Sequence, residues 1–278
     1  MIANTQYLQE LLSFARTLVV NSGKLLLQEQ AQAQVVKFKD RQDVCTTADL
    51  ASERLTIDAI SARYPDHGIL SEEVGTINPD AVVRWVIDPL DGTKEFIRGI
   101  PLFNSSLAVE VEGELAVAAV YRPTEQTLFS AALGLRAWRN TFELHVSDTS
   151  QLADAFIYCY LPSFRRDEQE AARAWSQLPQ VARQVYRLRS LADENTSMCW
   201  VAQGGTDGYI NISNPPKWHD MAPGLLIARE AGAICTSLDN QPLSIGNCKQ
   251  LIIANPQIHP LLVELLQRGD HPGTPEST

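Results

Sequence analysis

The stretch VVRWVIDPLDGTKEF, residues 82–96, decides how the rest of the chain is read. Val82, Val83, Trp85, Val86 and Ile87 form a β-branched and aromatic run that reads as a strand. The run stops at Asp88, Pro89 turns the chain, and Asp91-Gly92-Thr93 leads into a new element. Two carboxylates three residues apart therefore stand at a strand end. Asp88, Asp91 and the Leu90 carbonyl between them can converge on a hard cation, which takes oxygen ligands. Gly92 and Thr93 can present backbone N–H groups to a phosphate, the glycine permitting close approach. Taken alone, the same residues also read as an Asp-Pro turn followed by a helix-capping Asp.

Two acidic clusters lie outward from that stretch. Glu72 and Glu73 follow the apolar Gly68-Ile69-Leu70, and adjacent carboxylates there are costly unless solvated or neutralised. A surface turn is the alternative, since Glu is mostly exposed. In KWHDMAPGLLIAREAGA, residues 217–233, Asp220 opens an apolar helix, an N-cap position as much as a ligand position. His219 beside it reads first as structural, with room for a contact behind a metal ligand.

The elements around these clusters follow from periodicity. Leu8, Leu11, Leu12, Ala15, Leu18, Val19 and Leu26 recur at three- and four-residue steps, which predicts an amphipathic helix over residues 7–27. A second helix is expected over 48–64, closed by Pro65, with the Gln/Ala-biased residues 28–34 as a frayed end. Strands are expected at 82–87, 106–112, 115–121 and 126–131, with Gly113-Glu114 as a hairpin turn. Farther on, strand-like 155–161, a helix over 167–178, QVYRL, a helix near 195–203, DGYINI, a helix near 221–231 and LIIAN alternate as in an α/β layer. The reading is an α+β half over 1–145 and an α/β half over 146–270, with the active site at their junction and a disordered Pro/Gly-rich tail over 271–278.

The composition narrows the function. Lys and Arg number 23 against 33 Asp and Glu, a formal charge of −10 that disfavours extended nucleic-acid binding. A small anionic substrate stays compatible, because cations held by a few acids reverse the local potential. Cys45, Cys159, Cys199, Cys235 and Cys248 form no C-x-x-C pair and read as reduced, buried thiols. MIANTQYLQE is unlike a signal peptide and no run of about 18 apolar residues occurs, so a cytoplasmic protein without a membrane span is expected.

In combination these segments resemble the inositol monophosphatase superfamily, the lithium-sensitive, metal-dependent sugar and nucleotide phosphatases. The family's strand leading to Asp-Pro-Ile/Leu-Asp-Gly-Thr is matched by residues 85–93, its Glu-Glu pair by Glu72-Glu73, and its Asp-x-x-Thr-x-x-Asp by Asp43 through Asp49. Its Trp-Asp signature and Glu-Ala-Gly helix end are matched by Trp218-His219-Asp220 through Gly232. Arg189-Ser190 and Asp207-Gly208-Tyr209 also fall where the family has similar residues.

The resemblance implies a layered α-β-α-β-α sandwich of the sugar-phosphatase type, a homodimer, and a cage of Glu72, Asp88, the Leu90 carbonyl, Asp91 and Asp220 holding two or three Mg²⁺ ions. It further implies that Thr93 and Asp49 orient the attacking water, with Glu72 assisting, and that Gly92, Thr93, Lys94, Arg189, Ala192 and Asn211 touch a small phosphorylated metabolite. Departures bear on the substrate. His219 separates Trp218 from Asp220, and Pro223 stands where Ala is typical, at a place a first helical turn tolerates. Ala192-Asp193-Glu194 replaces a Gly-Ser/Thr-Ala stretch, and Asn211 replaces a Glu. Inositol monophosphate, 3′-phosphoadenosine 5′-phosphate and histidinol phosphate all stay open as substrates. A regulatory, protein-binding module on the same fold is the non-enzymatic alternative. The aspartyl-nucleophile phosphatases of the haloacid dehalogenase type need a different Asp spacing and a catalytic Lys.

Overall fold

In the computed structural model, residues 4–38, 44–164, 167–191, 193–213, 216–248 and 250–269 are described. Asp43, Ala192 and the tail expected over 271–278 lie outside them. The first helix, α1 (Thr5–Glu29), starts where the Asn4 side chain accepts the Gln6 N–H at 3.0 Å. A single 3-10 turn over Gln30–Gln32 follows, in the Gln/Ala-biased stretch. Next come β1 (Val35–Phe38), β2 (Val44–Thr46) and α2 (Thr47–Arg63).

The chain then enters a sheet: β3 (Gly68–Ser71), β4 (Gly75–Ile77), β5 (Val83–Asp91), a single helical turn α3 (Thr93–Phe96), β6 (Asn104–Val111), β7 (Glu114–Arg122), β8 (Thr127–Ala132), β9 (Ala137–Arg139) and β10 (Phe142–Glu143). The strand order is β10-β9-β8-β7-β6-β5-β3-β4, antiparallel apart from the parallel pair β3 and β5. The hairpin between β6 and β7 turns at Glu112 and Gly113, both at positive φ (54° and 83°), one residue earlier than predicted. That pair of left-handed residues suits the twist of a tight hairpin.

The stripe on α1 packs Leu8, Leu11, Leu12, Ala15, Leu18 and Val19 against Trp85, Ile87, Leu107, Val109, Val117 and Ala119 of this sheet. Each fully buried Leu or Ile there contributes roughly 1.5–3 kcal/mol relative to exposure.

The remaining elements are β11 (Phe156–Cys159), α4 (Glu168–Gln184), β12 (Arg187–Arg189), α5 (Glu194–Ala202), β13 (Gly208–Asn211), α6 (Trp218–Glu230), β14 (Ile234–Thr236), β15 (Leu251–Ala254) and α7 (Ile258–Gly269). Their sheet runs β12-β11-β13-β15-β14, with β11 parallel to both neighbours and the β13-β15 and β15-β14 pairs antiparallel. Ala174, Leu178 and Val181 of α4 and Ile258, Leu262 and Leu266 of α7 belong to one core with Ile157, Ile210, Ile252 and Ala254 of the strands. Helix α4 runs past the expected end at Leu178, through Pro179, because Val181 continues its buried stripe.

Two compact units result. One comprises the described residues within Met1–Leu144, Ala192–Cys199 and Lys217–Ala231, and the other those within His145–Leu191, Trp200–Pro216 and Gly232–Thr278. Helix α6 therefore belongs to the unit that carries β5. Its Trp218 indole donates to Glu110 on β6 at 2.7 Å, and the same carboxylate accepts from Arg84 on β5 at 2.7 Å. Among the described residues no helix is long and apolar enough to cross a membrane, and all five cysteines are free thiols, four of them buried.

Candidate metal centre and active site

Strand register brings the first two acids together. Strands β3 and β5 are parallel, with Ser71 beside Ile87, so the next residue of each chain segment, Glu72 and Asp88, lies at the same end of the β3-β5 pair. Between Asp88, paired with Ser106, and Asp91, paired with Asn104, the β5-β6 ladder shifts by one residue. Pro89 lies in this shift and has no N–H to give to a ladder, which favours a bulge. The Pro89 carbonyl accepts from Ser52 on α2 at 3.1 Å, while the Leu90 N–H donates to Asp88 at 3.1 Å. Gly92 follows at φ 88°, where an added Cβ would lie 2.7 Å from the Leu102 carbonyl oxygen, so only glycine fits.

Asp88 and Asp91 are both buried. Burial, and then the charges of Glu72 and Asp220, push the Asp88 carboxyl well above the usual carboxylate range. Burial also raises Asp91, followed by the charges of Asp193 and Asp88. Asp220, in the first turn of α6, accepts the Lys217 N–H at 3.1 Å, and its other oxygen lies 3.1 Å from His219 Nε2. The Lys217 ammonium sits 2.9 Å from Glu72. One ligand atom each from Glu72, Asp88 and His219 lie within 4.8 Å of one another. The donor set, two buried and two partly buried carboxylates crowded against each other, is the kind that a hard divalent cation neutralises.

The Thr93 hydroxyl reaches Asp49 at 3.2 Å and the Leu90 carbonyl at 3.0 Å. Asp49 also caps its own helix: its carboxylate accepts the Thr46 N–H at 2.9 Å and the Thr46 hydroxyl, while Thr46 accepts from the Ala48 N–H at 3.2 Å. Burial raises Asp49 to about 6, its hydrogen bonds to Thr46 and Thr93 oppose the rise, and the Glu72 charge adds to it. Lys94, on α3, is exposed. Its charge opposes the rise at Glu194, which burial, Asp220 and Asp193 push to about 8.

Arg189 and Asn211 stand on the second unit's strands β12 and β13, which flank β11. The buried Asn211 side chain accepts the Ser213 N–H at 3.3 Å. Thus Asp49, Glu72, Asp88, Leu90, Asp91, Gly92, Thr93, Lys94 and Asp220 all fall in one unit, and Arg189 and Asn211 in the other.

Three supporting residues escape a sequence reading. Glu53, buried on α2, accepts from Ser71 and from the backbone N–H groups of Glu73 (3.0 Å) and Val74 (3.1 Å), fixing the turn that carries Glu72. Asn104 donates to Asp91 at 3.2 Å and to Asp193 at 3.0 Å. Asn195 has its amide nitrogen 3.2 Å from Asp91, 3.2 Å from the Ser106 hydroxyl and 3.3 Å from the His219 carbonyl, while its oxygen accepts the Gly224 N–H at 2.8 Å.

The last contacts explain Pro223. The sequence suggested a first-turn position, yet α6 begins at Trp218 and Pro223 lies inside it. An N–H at residue 223 would have bonded the His219 carbonyl; Asn195 supplies that bond instead. A signal for Glu53 was present, because Asp49, Ser52, Glu53 and Thr56 form a polar stripe at helical spacing, and all four are buried. Asn195 has no comparable local mark.

Residues 7–271 match the family described as the inositol monophosphatase family. A protein named Nus factor SuhB from Pasteurella multocida (strain Pm70) is 33% identical over 222 residues, 80% of this chain and 81% of its own length. An inositol-1-monophosphatase from Rhizobium meliloti (strain 1021) is 32% identical over 255 residues, 90% of this chain and 93% of its own. Among solved structures, extragenic suppressor protein suhB from Bartonella henselae superposes with a TM-score of 0.84 at 29% identity, covering 91% of this chain and 96% of that one. Inositol monophosphatase from Anabaena (Nostoc) sp. PCC 7120 gives 0.84 at 28% identity, covering 94% and 97%. The shared fold is the expected α+β architecture of helices layered on mixed sheets.

Proposed function

Because the chain belongs to the inositol monophosphatase family, we propose that it is a Mg²⁺-dependent phosphomonoesterase acting on a small phosphorylated metabolite of the inositol monophosphate kind. The observation that carries this reading is the convergence of the Glu72 and Asp88 carboxylates, with His219, within 4.8 Å. A buried acid and a partly buried one in that arrangement call for a compensating cation.

Glu72, Asp88, Asp91, Asp220 and the Leu90 carbonyl are the groups that would hold two or three Mg²⁺ ions. When bound, such ions supply charge stabilisation at the phosphoryl oxygens and acidify a coordinated water. The chain's own residues do the rest. Thr93 donates its hydroxyl proton to Asp49, which leaves the Thr93 oxygen able to accept a proton from water. A raised Asp49 pKa of about 6 makes that carboxylate a better final acceptor. Glu72 would assist through the metal that it helps to hold. The water oxygen bonds to phosphorus as the ester P–O bond breaks, and no covalent phosphoenzyme is required.

Gly92 and Thr93 offer backbone amides to the phosphate, and Lys94 adds a positive charge near it. In this reading the protein works as a cytoplasmic homodimer. The test is phosphate release, with and without Mg²⁺, from inositol 1-phosphate, 3′-phosphoadenosine 5′-phosphate, histidinol phosphate and fructose 1,6-bisphosphate. One preferred, Mg²⁺-dependent substrate supports the reading and names its branch; turnover that is indifferent to metal overturns it.

A second reading has support in the names of its relatives, several of which are called Nus factor SuhB and not by an enzymatic activity. On that reading the fold serves as a regulatory protein-binding module. Retained Mg²⁺ binding with silence across the four substrates would favour it.

A further inference from the structure

We propose that His219 contributes an imidazole nitrogen to the cation cage, and that the cage thereby prefers borderline ions such as Co²⁺ to a degree that oxygen ligands alone would not give. The inference rests on the cage of the proposed function and adds a ligand of a different chemical kind. The His219 side chain is 8% exposed, and its Nε2 lies 3.1 Å from Asp220 and 3.9 Å from Glu72. Despite that closeness, Nε2 has no hydrogen-bond partner.

A buried ring nitrogen facing two carboxylate oxygens without a hydrogen bond is unfavourable in isolation. The two carboxylates repel one another, and the nitrogen has lost its water without gaining a partner. One cation shared by all three groups relieves both penalties. The Asp88 carboxylate completes the set, since its ligand atom and those of Glu72 and His219 all fall within 4.8 Å.

Helix geometry makes the aim of the ring specific. His219 and Asp220 are consecutive residues in the first turn of α6, and Trp218 before them is tied to Glu110 at 2.7 Å. The His219 carbonyl is held by Asn195 at 3.3 Å, so the backbone on both sides of the ring is fixed. The Lys217 ammonium, 2.9 Å from Glu72, already places positive charge at the rim, and its side chain is 41% exposed, which leaves it a route to solvent when an ion enters. Mg²⁺ takes oxygen ligands and gains little from imidazole, whereas the later first-row ions bind nitrogen well.

The test uses the full-length protein and His219→Gln, with calorimetric titration of Mg²⁺ and of Co²⁺ and pulsed electron paramagnetic resonance of the Mn²⁺-loaded forms. Wild type is expected to show nitrogen hyperfine coupling to Mn²⁺, and His219→Gln to lose it. The variant should also lose roughly tenfold or more in Co²⁺ affinity, while Mg²⁺ affinity changes by no more than about threefold. Mn²⁺ bound to wild type without nitrogen coupling overturns the assignment of His219 alone, and that measurement does not depend on the variant folding. An unchanged Co²⁺ to Mg²⁺ ratio in His219→Gln also overturns it. If wild type binds none of the three ions, the cage itself fails and this proposal falls with it.

Discussion

Glu53 accepts the hydroxyl proton of Ser71, and through that bond α2 grips the end of β3. The same carboxylate holds the N–H groups of Glu73 and Val74, so the residue between them and the strand, Glu72, is presented by a turn that a helix fixes in place. Removing the carboxylate strands the buried Ser71 hydroxyl and two part-buried N–H groups. Glu53→Ala should therefore lower stability by about 2–4 kcal/mol and weaken Mg²⁺ binding, although Glu53 is no ligand. Urea unfolding and Mg²⁺ titration check the two effects, and full Mg²⁺ affinity in a folded Glu53→Ala would show that the turn holds itself.

Asn195 and Pro223 are a matched pair. The Asn195 amide supplies the His219 carbonyl with the hydrogen bond that Pro223 cannot give. Asn195→Ala should cost about 1–3 kcal/mol, and Pro223→Ala, which restores an N–H inside α6, should recover part of that loss. A double-mutant cycle measures the coupling. Strict additivity would show that the two residues act independently.

His67 gives the fold a pH dependence of known sign. The Trp85 indole can only donate, and it lies 3.0 Å from His67 Nδ1, so that nitrogen is unprotonated and the ring is neutral. Burial holds its pKa below the ordinary value, with the Asp66 charge opposing. His259, 2.9 Å from the Thr236 hydroxyl, is lowered by burial too. The unfolded chain thus binds more protons than the native one across this range. Stability contributed by these rings is complete above the unfolded His value and is lost as pH falls from there toward the lower native values. Urea unfolding between about pH 5 and 8 should show the decline, and His67→Phe should make it shallower. An unchanged slope in the variant would contradict the assigned tautomer.

Thr93 and Asp220 should separate rate from binding. Thr93→Ala removes the hydroxyl that meets Asp49 and leaves the carboxylates in place, so turnover should fall by roughly 10²–10⁴-fold with Mg²⁺ affinity nearly unchanged. Asp220→Asn should lose both. Steady-state rates against Mg²⁺ concentration distinguish them, and equal loss of metal affinity in the two variants would defeat the division of roles.

Much of this site was legible because its acids mark the ends of strongly patterned elements. The apolar run before Asp88 is a buried strand, and the stripe from Leu8 to Leu26 lies buried along α1. What could not be read was long-range. Nothing local tells that β3 lies parallel to β5 with Ser71 beside Ile87, yet that register makes Glu72 and Asp88 neighbours. Asn195 looks like any helical polar residue until its amide is found between Asp91 and the His219 carbonyl. Helix α7 is a different case. Its apolar spacing is regular, so it carries a local signal that the long-range pairs lack.

The central claim is that buried, mutually repelling carboxylates form a cation site, and calorimetric Mg²⁺ titration of wild type beside Asp88→Asn tests it most directly. Burial and neighbouring charges push the Asp88 and Asp91 carboxyls up, and a cation takes its ligands deprotonated, so Mg²⁺ should bind more weakly as pH falls. The account predicts saturable Mg²⁺ binding in wild type, abolished in a folded Asp88→Asn. Equal Mg²⁺ binding by the two proteins, or none by wild type, would contradict it.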